Sequence, residues 1–269
     1  MAHGIQHNAR HGDVHGIRHG SLTLGEFVGV SKDAASGKYV PANSTEWNIL
    51  LTGSGILSGG PSAVYGFQDA SGSITDSVGA FPLTVSGTAP LYQQGLPGVT
   101  RKAFLVVEGL PTLIQSLSAS LPDISTTSFT LMSYTAVLGP ASATSTIQGL
   151  GASGTPAIAQ TVGVTGLARA VSGANSLNGV NNIADSTLRM LMLQVNRTAG
   201  TCTLYTNTEQ LVPTFSGSMA GKSLSFGNFV SGNPSAGFAY AAAFFGASAE
   251  FTTNQSRTLF QSLGWSVPW

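Results

Sequence analysis

Charged residues are scarce in this sequence: they make up 8% of its 269 residues, against about 25% in a typical soluble domain. Lysine plus arginine and aspartate plus glutamate number 11 each, so the formal net charge is zero. A neutral surface lacks the basic patches that bind nucleic acid or anionic membranes, and we expect neither as a partner. It also offers little charge repulsion between copies, which favours a homo-oligomer, with a trimer as one option.

Cysteine and long apolar runs are also lacking. Cys202 is the single cysteine, which excludes an internal disulfide, and its apolar surroundings predict a small buried hydrophobic residue. No stretch approaches the roughly 20 apolar residues that span a bilayer, and no basic leader precedes an early apolar run. We therefore expect synthesis in a reducing cytoplasm, without export by the usual route.

Groups of residues that carry catalysis are not evident either. No two of the 11 acidic residues lie within four positions of each other, whereas a glycoside hydrolase needs two neighbouring carboxylates. All five histidines precede residue 20, so a serine or Cys202 further along has no local base. The glycine-rich run at 149–154 lacks the lysine of a phosphate-binding loop and predicts a turn between strands. We expect a protein that is not an enzyme.

The first 20 residues contain a histidine at every fourth position. Glycine or asparagine follows each histidine and tolerates positive φ, so the repeat predicts a turn-like arm rather than a helix. We expect this arm to become ordered against a partner protein, although neutral imidazoles four residues apart also suit a transition metal such as Zn²⁺. The residues assigned to the arm are His3, His7, His11, His15, His19, Arg10 and Arg18.

After a connector at 21–61 with a few short strands, residues 62–269 predict an all-β domain. Leu188–Val195 and Thr201–Tyr205 predict a hairpin, with Gly200 at its left-handed turn position. A helix is predicted to begin at Thr252 or Thr253, with Gly264 just beyond its end. Other short runs rich in β-branched and aromatic residues predict strands at 63–67, 83–85, 103–107, 128–134, 157–164, 224–229 and 238–245.

Five segments in this order resemble laminin-G-like, concanavalin-A-like domains. They lie at 64–85, 128–134, 191–207, 224–227 and 244–263. The resemblance implies an all-β jelly-roll sandwich with one short C-terminal helix, and the histidine repeat adds an extended N-terminal arm to it. The turn at 68–72, Tyr92–Gln94 and Arg101–Lys102 are similar to a group found among tailed-phage virion proteins.

The resemblance also implies ligand sites on the loops at the sheet rim. Asp69 and Asp76 lie in the turns that match a Ca²⁺ site, although both carboxylates also suit turn N–H groups. Trp47, Trp265 and Trp269 lie outside the predicted strands and suit stacking on sugars, or packing of the chain ends onto the sheet. Apart from these ions, no cofactor is expected.

These observations predict a non-enzymatic structural protein of a tailed-phage virion, assembled in the host cytoplasm. One compact domain with an arm that binds a partner is typical of a capsid decoration subunit. We therefore expect such a subunit, anchored by its arm to the major capsid protein. The alternative is a tail-fibre or adhesin carbohydrate-binding module that recognises a host-surface glycan. A third interpretation is a divergent polysaccharide hydrolase.

Overall fold

Sixteen strands in two antiparallel sheets, and two helices, form the part of the chain that a computed structural model describes. That part comprises residues 30–53, 61–66, 73–74, 78, 83–87, 91–94, 96, 98–106, 112–115, 128–138, 145–152, 155–162, 165–172, 175–196, 198–213, 223–227, 237–245 and 251–269. The strands are β1 (Ala63–Gly66), β2 (Ser73–Ile74), β3 (Leu83–Gly87), β4 (Leu91–Gln94), β5 (Lys102–Val106), β6 (Thr112–Gln115), β7 (Phe129–Val137), β8 (Ser145–Ala152), β9 (Thr155–Val162), β10 (Leu167–Ser172), β11 (Asn175–Asn182), β12 (Arg189–Asn196), β13 (Thr201–Thr206), β14 (Gln210–Leu211), β15 (Ser223–Gly227) and β16 (Gly237–Phe245).

Each sheet has eight strands. The first has the order β14-β13-β12-β7-β16-β5-β4, with β1 also paired to β16, and the second has the order β11-β10-β9-β8-β15-β6-β3-β2. Strands distant in sequence are neighbours, as where β7 lies between β12 and β16. At one side, β10 contacts β13 and β11 contacts β14, which brings the two sheets together. The predicted all-β jelly-roll sandwich is confirmed.

The predicted hairpin is present as β12 and β13. Val195 pairs with Cys202 and Asn196 with Thr201, and Gly200 has a φ of +64° in the turn. Cys202 is buried, as predicted. Burial raises the pKa of its thiol to about 12, so this cysteine is an inert part of the core.

The glycine-rich run at 149–154 is largely strand rather than turn. Residues 149–152 belong to β8, and Leu150 pairs with Ile158 of β9. The expectation of a turn across the whole run is wrong, because glycines at 149 and 151 are accommodated within a paired strand. Residues 153–154, between the two strands, lie outside the described residues.

The central strands of the first sheet are buried on both faces, since every residue of β7 is buried. Successive side chains of a strand point to opposite faces, so one face meets the second sheet and the other needs a separate cover. On that outer face, Tyr134 of β7 belongs to a hydrophobic cluster with Trp47, which precedes the first strand in sequence, and with Phe260 and Trp265, which follow the last strand. The chain ends of the domain therefore form a third layer over the first sheet.

The C-terminal helix, α2 (Thr253–Ser262), confirms its prediction. Thr252 is the N-cap and forms a capping box with Gln255, and Leu263 is the C-cap. Gly264 follows with a φ of +89°, as expected of a residue that ends a helix in the left-handed region.

A second helix, α1 (Ser44–Gly53), was not predicted, so the expectation of a single helix is wrong. Asn43 Oδ1 accepts the N–H of Glu46 and caps the first turn. Trp47, Leu50 and Leu51, at helical spacing, are buried and belong to the same cluster as the sheet residues. The described part of the expected connector at 21–61 thus contributes to the core of the sandwich.

Candidate functional site

Most of the residues that the sequence assigned to binding lie outside the described residues. This holds for the arm and for the two aspartates of the implied Ca²⁺ site, whose binding roles stay predictions. The residues concerned are His3, His7, Arg10, His11, His15, Arg18, His19, Asp69 and Asp76. The three tryptophans assigned to sugar stacking are all described.

Trp47 and Trp265 are wrong as sugar platforms, because neither ring is available to a ligand. Trp47 is fully buried and contacts Tyr134 edge-on, with 5.3 Å between ring centroids. Trp265 is buried as well, and its Nε1 donates to Tyr134 Oη at 3.1 Å. Both therefore pack α1 and the C-terminal tail onto the first sheet.

Trp269 is half-buried and keeps part of its surface exposed. Its ring centroid lies 4.7 Å from that of Tyr205 and 5.2 Å from that of Phe260. Its Nε1 donates to Thr206 O at 2.8 Å. The indole is therefore fixed beside the turn that joins β13 to β14.

That turn and the neighbouring ends of β11 and β12 form a polar surface, which we call the rim. It consists of Val180, Asn181, Asn182, Asp185, Arg189, Asn207 and Glu209. Arg189, at the start of β12, is its buried centre, with 5% of its surface exposed. Its Nη2 donates to Asp185 Oδ2 at 2.6 Å and to Asn182 O at 2.9 Å, and its Nη1 lies 3.4 Å from Asn207 Oδ1. One guanidinium thus joins the β11–β12 loop to the β13–β14 turn.

Glu209 joins the two sheets at the rim. Its carboxylate accepts the backbone N–H of Val180 at 2.9 Å and of Asn181 at 3.3 Å, on the edge strand β11. A Cβ on Gly179 would lie 2.3 Å from Glu209 Oε1, so a side chain at this position would displace the carboxylate. The N–H of Glu209 donates to Thr206 Oγ1, which fixes the turn from within.

The β11–β12 loop is held by its own polar side chains. Asp185 Oδ1 accepts the N–H of Thr187, and Asn182 Oδ1 accepts the N–H of Ala184. Ser186 has a φ of +61°, and its N–H donates to Val137 O of β7. The loop therefore presents Asp185 in a fixed position, although that side chain is 38% exposed.

The rim presents amide groups, one partly exposed carboxylate and the exposed side chain of Val180 to solvent. The backbone and the two buried charges hold these groups before any ligand arrives, so little conformational freedom would be lost on binding. Sequence reasoning missed the rim, because its residues come from three separate turns and strand ends. The local signal was the asparagine-rich strand Asn175–Asn182, with four asparagines in eight residues.

Neither a metal cluster nor a membrane helix is found in the described ranges. No three histidine, cysteine or acidic side chains converge there as metal ligands. Within the same ranges, neither helix is long and apolar enough to cross a bilayer.

Known structures resemble this sandwich closely enough to compare, although no protein-family model and no curated protein matches the sequence. Domain 4 of AbnA, a GH43 extracellular arabinanase from Geobacillus stearothermophilus, was solved with arabinotriose. It matches at a TM-score of 0.54 and 18% identity, over 76% of this chain and 98% of that domain. Trypanosoma rangeli sialidase with sialic acid matches at 0.56 and 13% identity, over 74% of this chain and 32% of that one. Botulinum neurotoxin type C, from a study of its interaction with two gangliosides, matches at 0.53 and 12% identity, over 76% and 52%.

These matches show a shared fold. At such low identity they show nothing more, and this chain spans about a third of the length of the sialidase structures that it matches. No virion protein is among the three structures described.

The sialidase matches nevertheless contradict the expectation that the chain is not an enzyme, because sialidases are enzymes that contain this fold. Two acids need not be close together along the chain to act as a pair. Folding brings Asp185 and Glu209, 24 positions apart, to the same rim, so wide spacing in sequence is no ground for excluding hydrolysis.

Proposed function

We propose that this protein is a carbohydrate-binding β-sandwich and that its rim binds an oligosaccharide. One observation carries the proposal: the sandwich matches almost the whole of an arabinanase domain that was solved with arabinotriose. The match covers a complete domain, whereas the sialidase match covers a third of a larger protein. The sialic acid named with the sialidase is also a sugar, and the gangliosides named with the neurotoxin are glycolipids with an oligosaccharide headgroup.

The chemistry of the rim supports the proposal. A sugar presents hydroxyl groups that donate and accept hydrogen bonds, and amide and carboxylate side chains do both at fixed angles. Asn181 and Asn207 supply amides that are partly exposed, and Asp185 supplies a carboxylate whose side chain is 38% exposed. Because the backbone around them is tied by Arg189 and Glu209, these groups keep their relative positions.

A sugar ring also has apolar C–H faces, so a sugar-binding surface needs apolar groups as well. Such groups lie next to the amides of the rim. Val180 is 85% exposed at the bulged end of β11. Trp269 lies beside Thr206, at the other side of the β13–β14 turn, and is half-buried. Of the three tryptophans considered at first, Trp269 is the one that remains available for stacking.

Binding is tested with the full chain by isothermal titration against arabinotriose and a panel of plant and animal oligosaccharides. We expect at least one neutral oligosaccharide to bind, and the Asn207→Ala and Asn181→Ala variants each to bind about tenfold more weakly, as for one lost hydrogen bond. Gln261→Ala is the matched control, because it removes an exposed amide from α2. Failure of every glycan to bind, or equal loss of affinity in the Gln261→Ala control, would overturn the proposal.

Product analysis of the same mixtures decides whether a bound glycan is also cleaved. New reducing ends that accumulate with the intact protein, and less with Asp185→Asn, would assign turnover to the rim. A constant glycan chain length would leave binding as its activity.

The expected virion location and the attachment of the arm to a capsid protein stay predictions, because none of the three structures bears on them. A host-surface glycan is compatible with both, since an adhesin needs an attached end and a glycan-binding end.

A further inference from the structure

We infer, on the basis of the proposed function, that the rim selects neutral glycans and that Asp185 determines this specificity. The one arginine of the rim is engaged by the protein itself. Its Nη2 is 2.6 Å from Asp185 Oδ2 and 2.9 Å from Asn182 O, and the side chain is 5% exposed. Arg189 therefore has almost no surface with which to meet a carboxylate from outside.

The charges of the rim point in the same direction. Its seven residues include one cation, Arg189, and two carboxylates, Asp185 and Glu209, so the formal charge of the rim is −1. Glu209 is buried and accepts two backbone N–H groups, whereas Asp185 is 38% exposed. The ionised group that an incoming ligand meets first is therefore a carboxylate.

Arg169, on the neighbouring strand β10, does not bring a positive charge to the rim. Arg169 pairs with Asn178 of β11, and its Nη2 donates to Ser176 Oγ at 2.8 Å. The guanidinium is thus turned along β11 towards Ser176, whereas the rim lies at the opposite end of that strand.

An acidic sugar would bring a second carboxylate into contact with Asp185, and two like charges in contact repel each other. A neutral sugar brings only hydroxyl groups, which donate to the remaining lone pairs of the Asp185 carboxylate. One side chain thus attracts neutral ligands and discriminates against acidic ones, as specificity usually requires.

Replacing Asp185 with asparagine isolates this effect. The Asp185→Asn change raises the formal charge of the rim from −1 to zero and removes the carboxylate that Arg189 contacts directly. The amide keeps a hydrogen-bonding group of the same size at the same place. Acidic glycans should therefore gain affinity relative to neutral ones, which lose the ionised acceptor of their hydroxyl groups.

The test compares the full chain, D185N and E46Q with a matched pair of sugars, lactose and 3′-sialyllactose, and with arabinotriose. E46Q removes one carboxylate from α1. Glu46 accepts the N–H of Ala42, and its Oε1 lies 3.8 Å from Arg101 Nη2, so its contacts involve no residue of the rim. We expect the unmodified chain to bind the neutral sugars at least about tenfold more tightly than sialyllactose. In D185N that preference should fall to about threefold or less, whereas E46Q should keep it.

Each alternative outcome has a distinct meaning. Equal or tighter binding of sialyllactose by the unmodified chain overturns the inference but leaves the proposed function intact. An unchanged preference in folded D185N also overturns it. If D185N does not fold, the salt dependence of the unmodified chain decides: sialyllactose affinity should rise between about 50 and 500 mM salt, because salt screens its repulsion by Asp185, whereas lactose affinity stays constant. A sialyllactose affinity that does not rise with salt overturns the inference. Absence of binding by every sugar ends both the proposed function and the inference.

Discussion

Asp33 is a buried carboxylate that ties the turn after Val30 to the segment before β5. Its Oδ2 accepts the N–H and the hydroxyl of Ser36, and its Oδ1 accepts the N–H and the hydroxyl of Thr100. Burial raises the pKa of Asp33, but the hydrogen bonds from Thr100 and Ser36 outweigh burial and hold this pKa below its ordinary value. The ionised form is thus the one that the fold stabilises.

A pH dependence follows from the sign of that shift. Because the pKa is lower in the folded than in the unfolded chain, Asp33 contributes stability above the unfolded pKa of about 4, and the contribution is lost as pH falls through the folded pKa. We expect Asp33→Asn to lower the free energy of unfolding at pH 7, and the difference from the unmodified chain to shrink below about pH 4. Urea unfolding at pH 7, 5, 4 and 3 measures it. A difference that is the same at pH 7 and pH 3 would contradict this role.

Gly179 and Glu209 make a second prediction at the same scale. A Cβ at position 179 would lie 2.3 Å from Glu209 Oε1, so Gly179→Ala must displace the carboxylate from the N–H groups of Val180 and Asn181. We expect a loss of about 1–3 kcal/mol in the free energy of unfolding. In the Glu209→Ala background the same change should cost nothing, because the obstructing atoms are gone. Equal costs in both backgrounds would show that the two residues do not interact.

The strand β11 shows why Glu209 matters at the scale of an element. β11 is the last strand of its sheet, and an edge strand offers free backbone groups to other chains. The Glu209 carboxylate engages two of these groups, at Val180 and Asn181. The residue that shapes the rim therefore also protects this edge of the sandwich.

The capping box of α2 gives a prediction that is independent of any ligand. Thr252 Oγ1 accepts the N–H of Gln255, and Gln255 Oε1 accepts the N–H of Thr252. We expect Thr252→Ala to cost about 1 kcal/mol in the free energy of unfolding, measured by chemical denaturation.

Thr258→Ala is the control for that variant. Thr258 is an exposed threonine within the helix, whose hydroxyl donates back to Asn254 O. Its removal should leave stability unchanged or slightly raised, because alanine favours helix. An equal loss in both variants would mean that the cap contributes nothing specific.

Elements with strong local signals were predictable from the sequence. The β12–β13 hairpin needed Gly200 at one position, and α2 needed Thr252 and Gly264 at its ends. The signal for α1 was also present, since Asn43 precedes Glu46 by three positions. The run from Trp47 to Leu51 resembles a buried strand as closely as one helical face, which is why the helix was missed.

The rim was not predictable in the same way. Arg189 meets Asn207 across 18 positions and Glu209 meets Val180 across 29. Such contacts depend on strand order and on how the two sheets meet, neither of which local periodicity specifies. Even the burial of Trp47 depends on its contact with Tyr134, far along the chain.

At the scale of the whole molecule, the sequence predicts an arm with a task separate from that of the sandwich. We therefore expect deletion of residues 1–20 to leave the melting temperature within about 2 °C of that of the full chain, and its glycan affinity unchanged. Differential scanning calorimetry and titration with arabinotriose measure the two quantities. A drop of many degrees would show that the arm belongs to the fold rather than to a partner interface.

The central claim is that the rim, and not another surface of the sandwich, binds carbohydrate. Its most direct test is an NMR titration of the isotopically labelled full chain with arabinotriose, which reports the backbone amides that respond to the sugar. The claim predicts that the largest shift changes cluster at Val180–Asp185 and Asn207–Glu209, together with the indole N–H of Trp269. Changes confined to other parts of the chain, with those amides unaffected, would contradict it.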